Sequence, residues 1–449
     1  MRKRIFVFVL VLATLGSTLN ASATSAATGL SVAGVLSPTA NNYTQPILKD
    51  DLTTVNSFPP QQPADPAPWP MAAANPERTS WTPEEVRGSL KPLWYKPFEP
   101  YISQRVQIIA AYDTLYVATV RGLYALDAAT GAELWVYPTQ FPLGHSPTID
   151  NGVAYVGGLD RKLHAIDALT GQGLWVFEAE AGFETNPLVV EGKVYAGSRD
   201  GTMYAIYAEG PEVGNLAWEY PTQGPILYSA AYKDGVVFFA SNDSYAYALD
   251  ANTGDLVWKS AKLPGAGFYS WWPVVYRDRV IFSGSNNYRT SIRPGAGAQL
   301  TELELDEVYP NHTSEPRGTL VGPLGEEPGD WATGTPTIDV GRIADYFAAK
   351  PWRRTYLVLD RFSGEEREIA PVLWTGTHSG NRYPPVVGVD DVLYQQNSYM
   401  SDPWIAGGSI SGWKIGTPYI SVVSSDWGAV DEPHAYSAGG ELIYWNLCC

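Results

Sequence analysis

Three histidines, His145, His378 and His434, stand in the segments LGHSP, GTHSGN and EPHAYS, each just ahead of a short run of alternating apolar residues. Three imidazoles brought to one place could bind a transition metal. Imidazoles so placed also serve by hydrogen-bonding neighbouring loops; that reading is preferred, and no metal site is expected. Aromatic and polar residues share these positions, among them Tyr228, Tyr269, Trp271, Trp272, Arg382, Tyr383 and Tyr436. Rings with polar tips grip sugars, peptides or extended polymers, although packing between loops is the plainer use of the same residues. The expected ligand-binding set is His145, Tyr269, Trp272, Arg382, Tyr383 and His434. The only cysteines are Cys448 and Cys449, adjacent at the end of the sequence, so no CxxC metal or redox motif exists. The pair could close a vicinal disulfide in an oxidising compartment or be incidental. No Gly-x-Ser-x-Gly elbow, phosphate loop, HExxH or paired-carboxylate pattern occurs. No catalytic residue is assigned, and a non-enzyme is the preferred reading.

The elements that would position these residues come from a repeat. LYALDAATGAELW ends at Trp135, LHAIDALTGQGLW at Trp175, MYAIYAEGPEVGNLAW at Trp218 and YALDANTGDLVW at Trp258, with steps of 40, 43 and 40 residues. A period near forty with β-type alternation and a turn in each copy is the spacing of a propeller blade. Each copy reads as four strands: a start after Pro or Ser, a tight Asn-Gly, Glu-Gly or Asp-Gly hairpin, a third strand, then a Thr-Gly turn into the strand bearing the Trp. Asp127, Gly131 and Trp135 mark one copy, Asp167, Gly171 and Trp175 the next, Trp218 the third, and Asp250, Gly254 and Trp258 the fourth. Their role is expected to be structural: Asp caps the turn, Thr and Gly make it, the third-strand Ala leaves room for a neighbouring blade's Trp, and the Trp locks blade to blade. Strand starts recur near residues 108, 147, 187, 229, 273, 336, 385 and 435. An all-β propeller of four-stranded blades is expected, with eight blades preferred and seven the alternative. The segment GSLKPLWYKPF at 88–98 resembles a fourth strand lacking its own blade, able to seal the ring at the last one.

Residues 1–23 combine Arg2-Lys3-Arg4, an apolar run and Ala21-Ser22-Ala23, the make-up of a secretory signal peptide. Residues 24–68 are rich in Ser, Thr, Ala, Asn and Pro and read as a disordered tether. The propeller is expected over 69–449, with a loop insertion at 294–332. The mature chain is expected to be secreted, monomeric and without a transmembrane helix. Formal net charge is −17, which argues against nucleic acid as a partner. A protein or glycan partner remains open.

Ala125–Trp135, Ala165–Trp175 and Ala248–Trp258 each fit Ala-Xaa-Asp-Xaa-Xaa-Thr-Gly-Xaa-Xaa-Xaa-Trp, and the chain thereby resembles the pyrroloquinoline-quinone-type repeat of quinoprotein alcohol dehydrogenases and of many non-enzymatic secreted propellers. The third copy departs, with Tyr207 in the Asp place and three extra residues before Trp218. The non-enzymatic side of the resemblance implies a binding or scaffolding propeller with no cofactor, similar to the propeller lipoprotein of Gram-negative outer-membrane assembly. The enzymatic side implies an alcohol or aldose dehydrogenase using the quinone and calcium. Trp271 or Trp272 would then floor the quinone, Arg382 or Arg289 would contact its oxygens, and Asp426 would act as base. A polysaccharide-binding propeller is the second alternative.

Overall fold

The computed structural model describes residues 69–88, 91–103, 105–264, 268–283, 348, 354, 356–370, 372, 383–402, 405–417, 420–424 and 436–445. The expected leader and tether, the insertion at 294–332, the strand start at 336, and both cysteines lie outside them.

The described chain is all-β, built from sheets in which each strand pairs antiparallel with the next along the sequence, except that Trp81–Thr82 pairs in parallel with the strand starting at Tyr436. Sheets 1 to 4 occupy residues 109–138, 148–178, 188–221 and 231–259, four strands apiece. Sheet 5 joins residues 274–283 to 356–369, sheet 6 spans 386–424, and sheet 7 combines 436–445 with the short strand Trp81–Thr82. First strands of neighbouring sheets lie against one another from sheet 1 through sheet 5 and again between sheets 6 and 7. Period-two alternation in the second and third strands is buried on both faces, as in sheets packed between neighbours.

Seven sheets appear among the described residues, where eight strand starts are expected. Tyr356 pairs with Ser283, so YLVLDRFSGEE supplies the third strand of sheet 5. The Tyr356 strand therefore does not belong to a separate blade begun at 336; residues 284–355 stand where the other sheets have a short turn.

The repeat motif works through its glycine. Asp127 Oδ1 accepts from the Thr130 amide at 2.8 Å and its hydroxyl at 2.6 Å, and Asp167 does the same for Thr170 at 2.8 Å each. The turn glycine takes a positive φ, 71° at Gly131, 74° at Gly171 and 79° at Gly254. Onto it lies the Trp of the preceding sheet: a β-carbon on Gly171 would fall 2.6 Å from the Trp135 ring, and one on Gly254 2.7 Å from Trp218. The indole N–H groups of Trp135, Trp218 and Trp258 donate to the carbonyls of Ala168, Ala251 and Arg361. Room for the neighbour's Trp is thus made by the glycine, whereas the third-strand Ala125 is the cross-strand partner of Trp135 in its own sheet.

The segment 88–98 forms no strand among its described residues, because Pro92 and Pro97 cannot donate to a ladder. Trp94 nonetheless docks on sheet 1 in the repeat's own manner. Its N–H donates to Ala128 at 3.1 Å, and a β-carbon on Gly131 would meet its ring at 2.5 Å.

Hydrogen bonds hold the turn carboxyls of Asp127 and Asp167 below the usual carboxylate range, those from the Thr130 and Thr170 side chains first. A depressed folded pKa means that the unfolded chain takes up the proton first. Stability carried by these turns is present above about pH 4 and lost as pH falls below it. Acid titration of the denaturation midpoint should therefore show a steeper fall for the native chain than for a D127N/D167N variant.

Candidate functional site

Along the axis runs the segment 69–82, making one hydrogen bond after another to the first strands of successive sheets. Ala110 of sheet 1 donates to Trp69 O at 3.0 Å, and Ile149 of sheet 2 to Pro70 O at 2.7 Å. Tyr232 of sheet 4 donates to Pro76 O, Val275 of sheet 5 to Glu77 O, Val387 of sheet 6 to Thr79 O and Ala438 of sheet 7 to Ser80 O, at 2.8 to 3.0 Å. Sheet 3 is reached through Arg78, whose guanidinium donates to the carbonyls of Asn186 and Pro187 at 3.3 and 3.2 Å and to those of Ala72 and Ala230 at 2.6 and 3.0 Å. Arg78 is wholly buried, and burial pushes its pKa down to about 9, so it stays protonated at neutral pH. Sequence reading placed the start of the body at Trp69 but missed this axial course. Its residues carry no β alternation, and four of them, Ala73, Ala74, Arg78 and Ser80, take the left-handed φ that patterns do not anticipate.

The segments that lead into the first strands gather at one end of the axis, here termed the upper mouth. A belt of hydrogen bonds links them. The Gln107 amide donates to Ser146 Oγ at 2.7 Å, the Ser146 amide to Asn186 Oδ1 at 3.0 Å, and the Asn186 amide to Ser229 Oγ at 2.9 Å. The Ser229 amide donates to Trp271 O at 2.8 Å, Trp271 packs edge-on to Tyr383, and Gln107 Nε2 donates to the Tyr383 hydroxyl at 2.7 Å. Gln107 also accepts from the Ala73 amide at 2.9 Å, which fastens the belt to the axial segment. Gln107, Ser146, Asn186 and Ser229 were not singled out from sequence; their one common signal is a polar residue within three positions of a strand start.

Of the expected ligand-binding set, His145, Tyr269, Trp272 and Tyr383 are at this mouth, while Arg382 and His434 lie outside the described residues. His145 is 3% exposed and Tyr383 4%, and Trp272 is fully enclosed. All three are buried in this conformation. Tyr269 is half-buried and carries the Arg105 guanidinium over its ring at 5.5 Å. His145 has no hydrogen-bond partner at either ring nitrogen. Burial pushes its pKa down to about 3, with the Arg105 charge adding to the effect, so the imidazole is neutral.

A quinone floor needs an open indole face. Trp272 meets Trp271 and Tyr383 edge-on at 5.8 and 5.7 Å, and Trp271 is itself buried. The axis bears Arg78 and its chain. Among the described residues, no three of His, Cys, Asp or Glu gather as a metal-binding group. In this conformation Trp271 and Trp272 offer no open indole face for a quinone. Arg289 and Asp426, the other ingredients, lie outside the described residues, as do His378 and His434.

Of the two other histidines, His312 lies outside the described residues, and His164, which replaces the repeat's Tyr, joins two sheets. Its Nε2 lies 3.0 Å from Asp160 Oδ2 and its Nδ1 3.2 Å from the Tyr137 hydroxyl. Between sheets 5 and 6 the Gly416 amide donates to Glu368 at 3.0 Å, and Arg279 pairs with the same carboxylate. No helix among the described residues is long and apolar enough to cross a membrane.

Residues 91–208 and 180–411 match the family profile described as outer membrane protein assembly factor BamB. No curated protein sequence matches the chain. Among solved structures, BamB from Moraxella catarrhalis is 19% identical over 75% of this chain and 91% of its own, with a TM-score of 0.39. The quinohemoprotein alcohol dehydrogenase from Comamonas testosteroni is 12% identical over 85% of this chain and 70% of its own, with a TM-score of 0.49. The quinohemoprotein alcohol dehydrogenase ADHIIG from Pseudomonas putida HK5 is 14% identical over the same 85% and 70%, with a TM-score of 0.46.

Proposed function

We propose a function from one premise, that the chain belongs to the PQQ-type repeat propeller family whose profile is described as outer membrane protein assembly factor BamB. Within it, the chain acts outside the cytoplasm as a non-catalytic scaffold that binds a protein partner. The reading rests on one observation above others: the axis is taken up by residues 69–82, hydrogen-bonded to the sheets around it. Recognition is then left to the rim and the outer surface.

The ring itself is part of the reading. Seven blades are proposed, closed at sheet 7. Closure is supported by Trp94 docking on Gly131 and by an axial segment that touches both the first sheet and the last. On the outside, the fourth strands of sheets 1 to 4 leave one edge unpaired among the described residues and carry exposed Leu134, Leu174, Leu216 and Leu256. Apolar side chains on free edges suit a protein partner better than a small cofactor. The leader-like residues 1–23 support export.

The test separates scaffold from enzyme. Pyrroloquinoline quinone and calcium are added to the purified chain at saturating concentration, and melting is followed together with dye reduction by alcohols and aldoses. No change in melting temperature and no dye reduction are expected. A ligand that bound the folded state at a hundredfold excess over Kd would stabilise by about 2.7 kcal/mol, and such a shift would sink the scaffold reading.

A further inference from the structure

We propose that the upper mouth binds a small hydroxycarboxylate, its carboxylate taken by Arg105 and its hydroxyl by His145. The site deepens the scaffold reading and rests on it only in placing recognition at the rim.

Two independent observations lead to this ligand. The first is a set of buried polar atoms without partners: both ring nitrogens of His145, the Ser270 hydroxyl and the Trp272 indole N–H. Leaving such a group unsatisfied costs about 1–3 kcal/mol each, so a fold that keeps several at one end of its axis calls for something to complete them. Ser270 is also held at φ 77°, a conformation that L side chains rarely adopt and that concentrates at binding sites. The second is Arg105. It stands in the leading segment of sheet 1, reaches the ring of Tyr269 ahead of sheet 5, and pairs with no carboxylate among the described residues. In a chain of net charge −17, a half-buried guanidinium without a carboxylate at the axis is a place for an anion.

The chemistry narrows the anion. A guanidinium fork matches the two oxygens of a carboxylate. A neutral imidazole presents one N–H donor and one bare acceptor nitrogen. The bare nitrogen needs a donor, which a carboxylate or sulfate cannot supply and a hydroxyl can. Ser270 gives a further hydroxyl and Trp272 a further donor. A hydroxycarboxylate meets all of these, whether it arrives as a free hydroxy acid or as a uronic acid unit of a glycan.

Isothermal titration of the full chain with lactate, galacturonate and a short oligogalacturonide tests this, with galactose and sulfate as controls. Saturable binding of lactate or galacturonate is expected, with galactose and sulfate at least tenfold weaker. Tighter binding of the oligomer than of both monomers would identify the glycan source, and the reverse order a free acid. Arg105→Gln should weaken binding at least tenfold without altering the melting temperature. His145→Leu should weaken it tenfold while leaving the unliganded protein at least as stable, because it removes two unpartnered atoms; a residue that served structure alone would lose stability instead. No saturable binding by the native chain, equal binding of sulfate, or native affinity in Arg105→Gln would overturn the proposal. None of these outcomes bears on the quinone melting test, so the two readings fail separately.

Discussion

Arg78→Met is expected to cost about 3–5 kcal/mol of stability. The methionine stem fills much of the same volume, so the loss falls on hydrogen bonding. Four carbonyls, those of Ala72, Ala230, Asn186 and Pro187, lose their donor in a place that water does not reach. Each such orphan costs about 1–3 kcal/mol, and removal of a buried, desolvated cation returns part of that total. Arg78→Lys should fall between, since an ammonium has three donors and lacks the planar fork that spans carbonyls from three stretches of chain. The measurement is the denaturant midpoint of each variant, with circular dichroism and tryptophan fluorescence followed together. A change below about 0.5 kcal/mol, the range of ordinary surface substitutions, would mean that the axial segment is a passenger.

The reason for so large an effect lies in how the segment is held. Ala73, Ala74, Arg78 and Ser80 adopt φ values between 53° and 70°, each a strained choice for a residue with a β-carbon. Strain of this kind persists only where surrounding bonds over-determine the backbone. Here the sheets supply those bonds to a chain with almost no ladder of its own. Asn75 adds a local brace, its amide donating to Thr79 Oγ1 at 2.6 Å and its carbonyl accepting from the Thr79 amide at 3.1 Å.

None of this was legible in the sequence, and the reason is physical. The strands of sheets 1 to 4 could be read because each is specified locally: a period of two, a turn residue at a fixed offset, and a Trp that needs a neighbour. Even the irregular third copy keeps its register, with Ala205 opposite Trp218 as Ala125 is opposite Trp135, because its three extra residues are absorbed in the turn closed by Gly214. Residues 69–82 are specified by the sheets and not by themselves. Sheet 5 shows the same limit, since pairing of Ser283 with Tyr356 is invisible to any reading that counts turn signals in order. At the mouth, sequence brought His145, Tyr269, Trp272 and Tyr383 to one end but not their burial, which the belt through Gln107, Ser146, Asn186 and Ser229 imposes.

Ring closure admits a test of equal force. Trp94→Ala is expected to destabilise by about 2–3 kcal/mol, somewhat below the range for a fully buried Trp because this ring is half-buried. Gly131→Ala should cost a similar amount, from a methyl that would meet the ring at 2.5 Å and from a φ of 71°. If the two groups touch across the seam, the double variant cannot lose both sums. Once the ring is gone the methyl has room, and only the backbone strain of Gly131 remains, so the coupling energy should be about 1 kcal/mol or more. Trp94→Ala combined with Gly171→Ala provides the control. Gly171 receives Trp135 and not Trp94, so those effects should add within about 0.5 kcal/mol. Additivity in both pairs would place Trp94 away from sheet 1; coupling in the first pair alone means that the segment before sheet 1 carries the tryptophan that docks on Gly131.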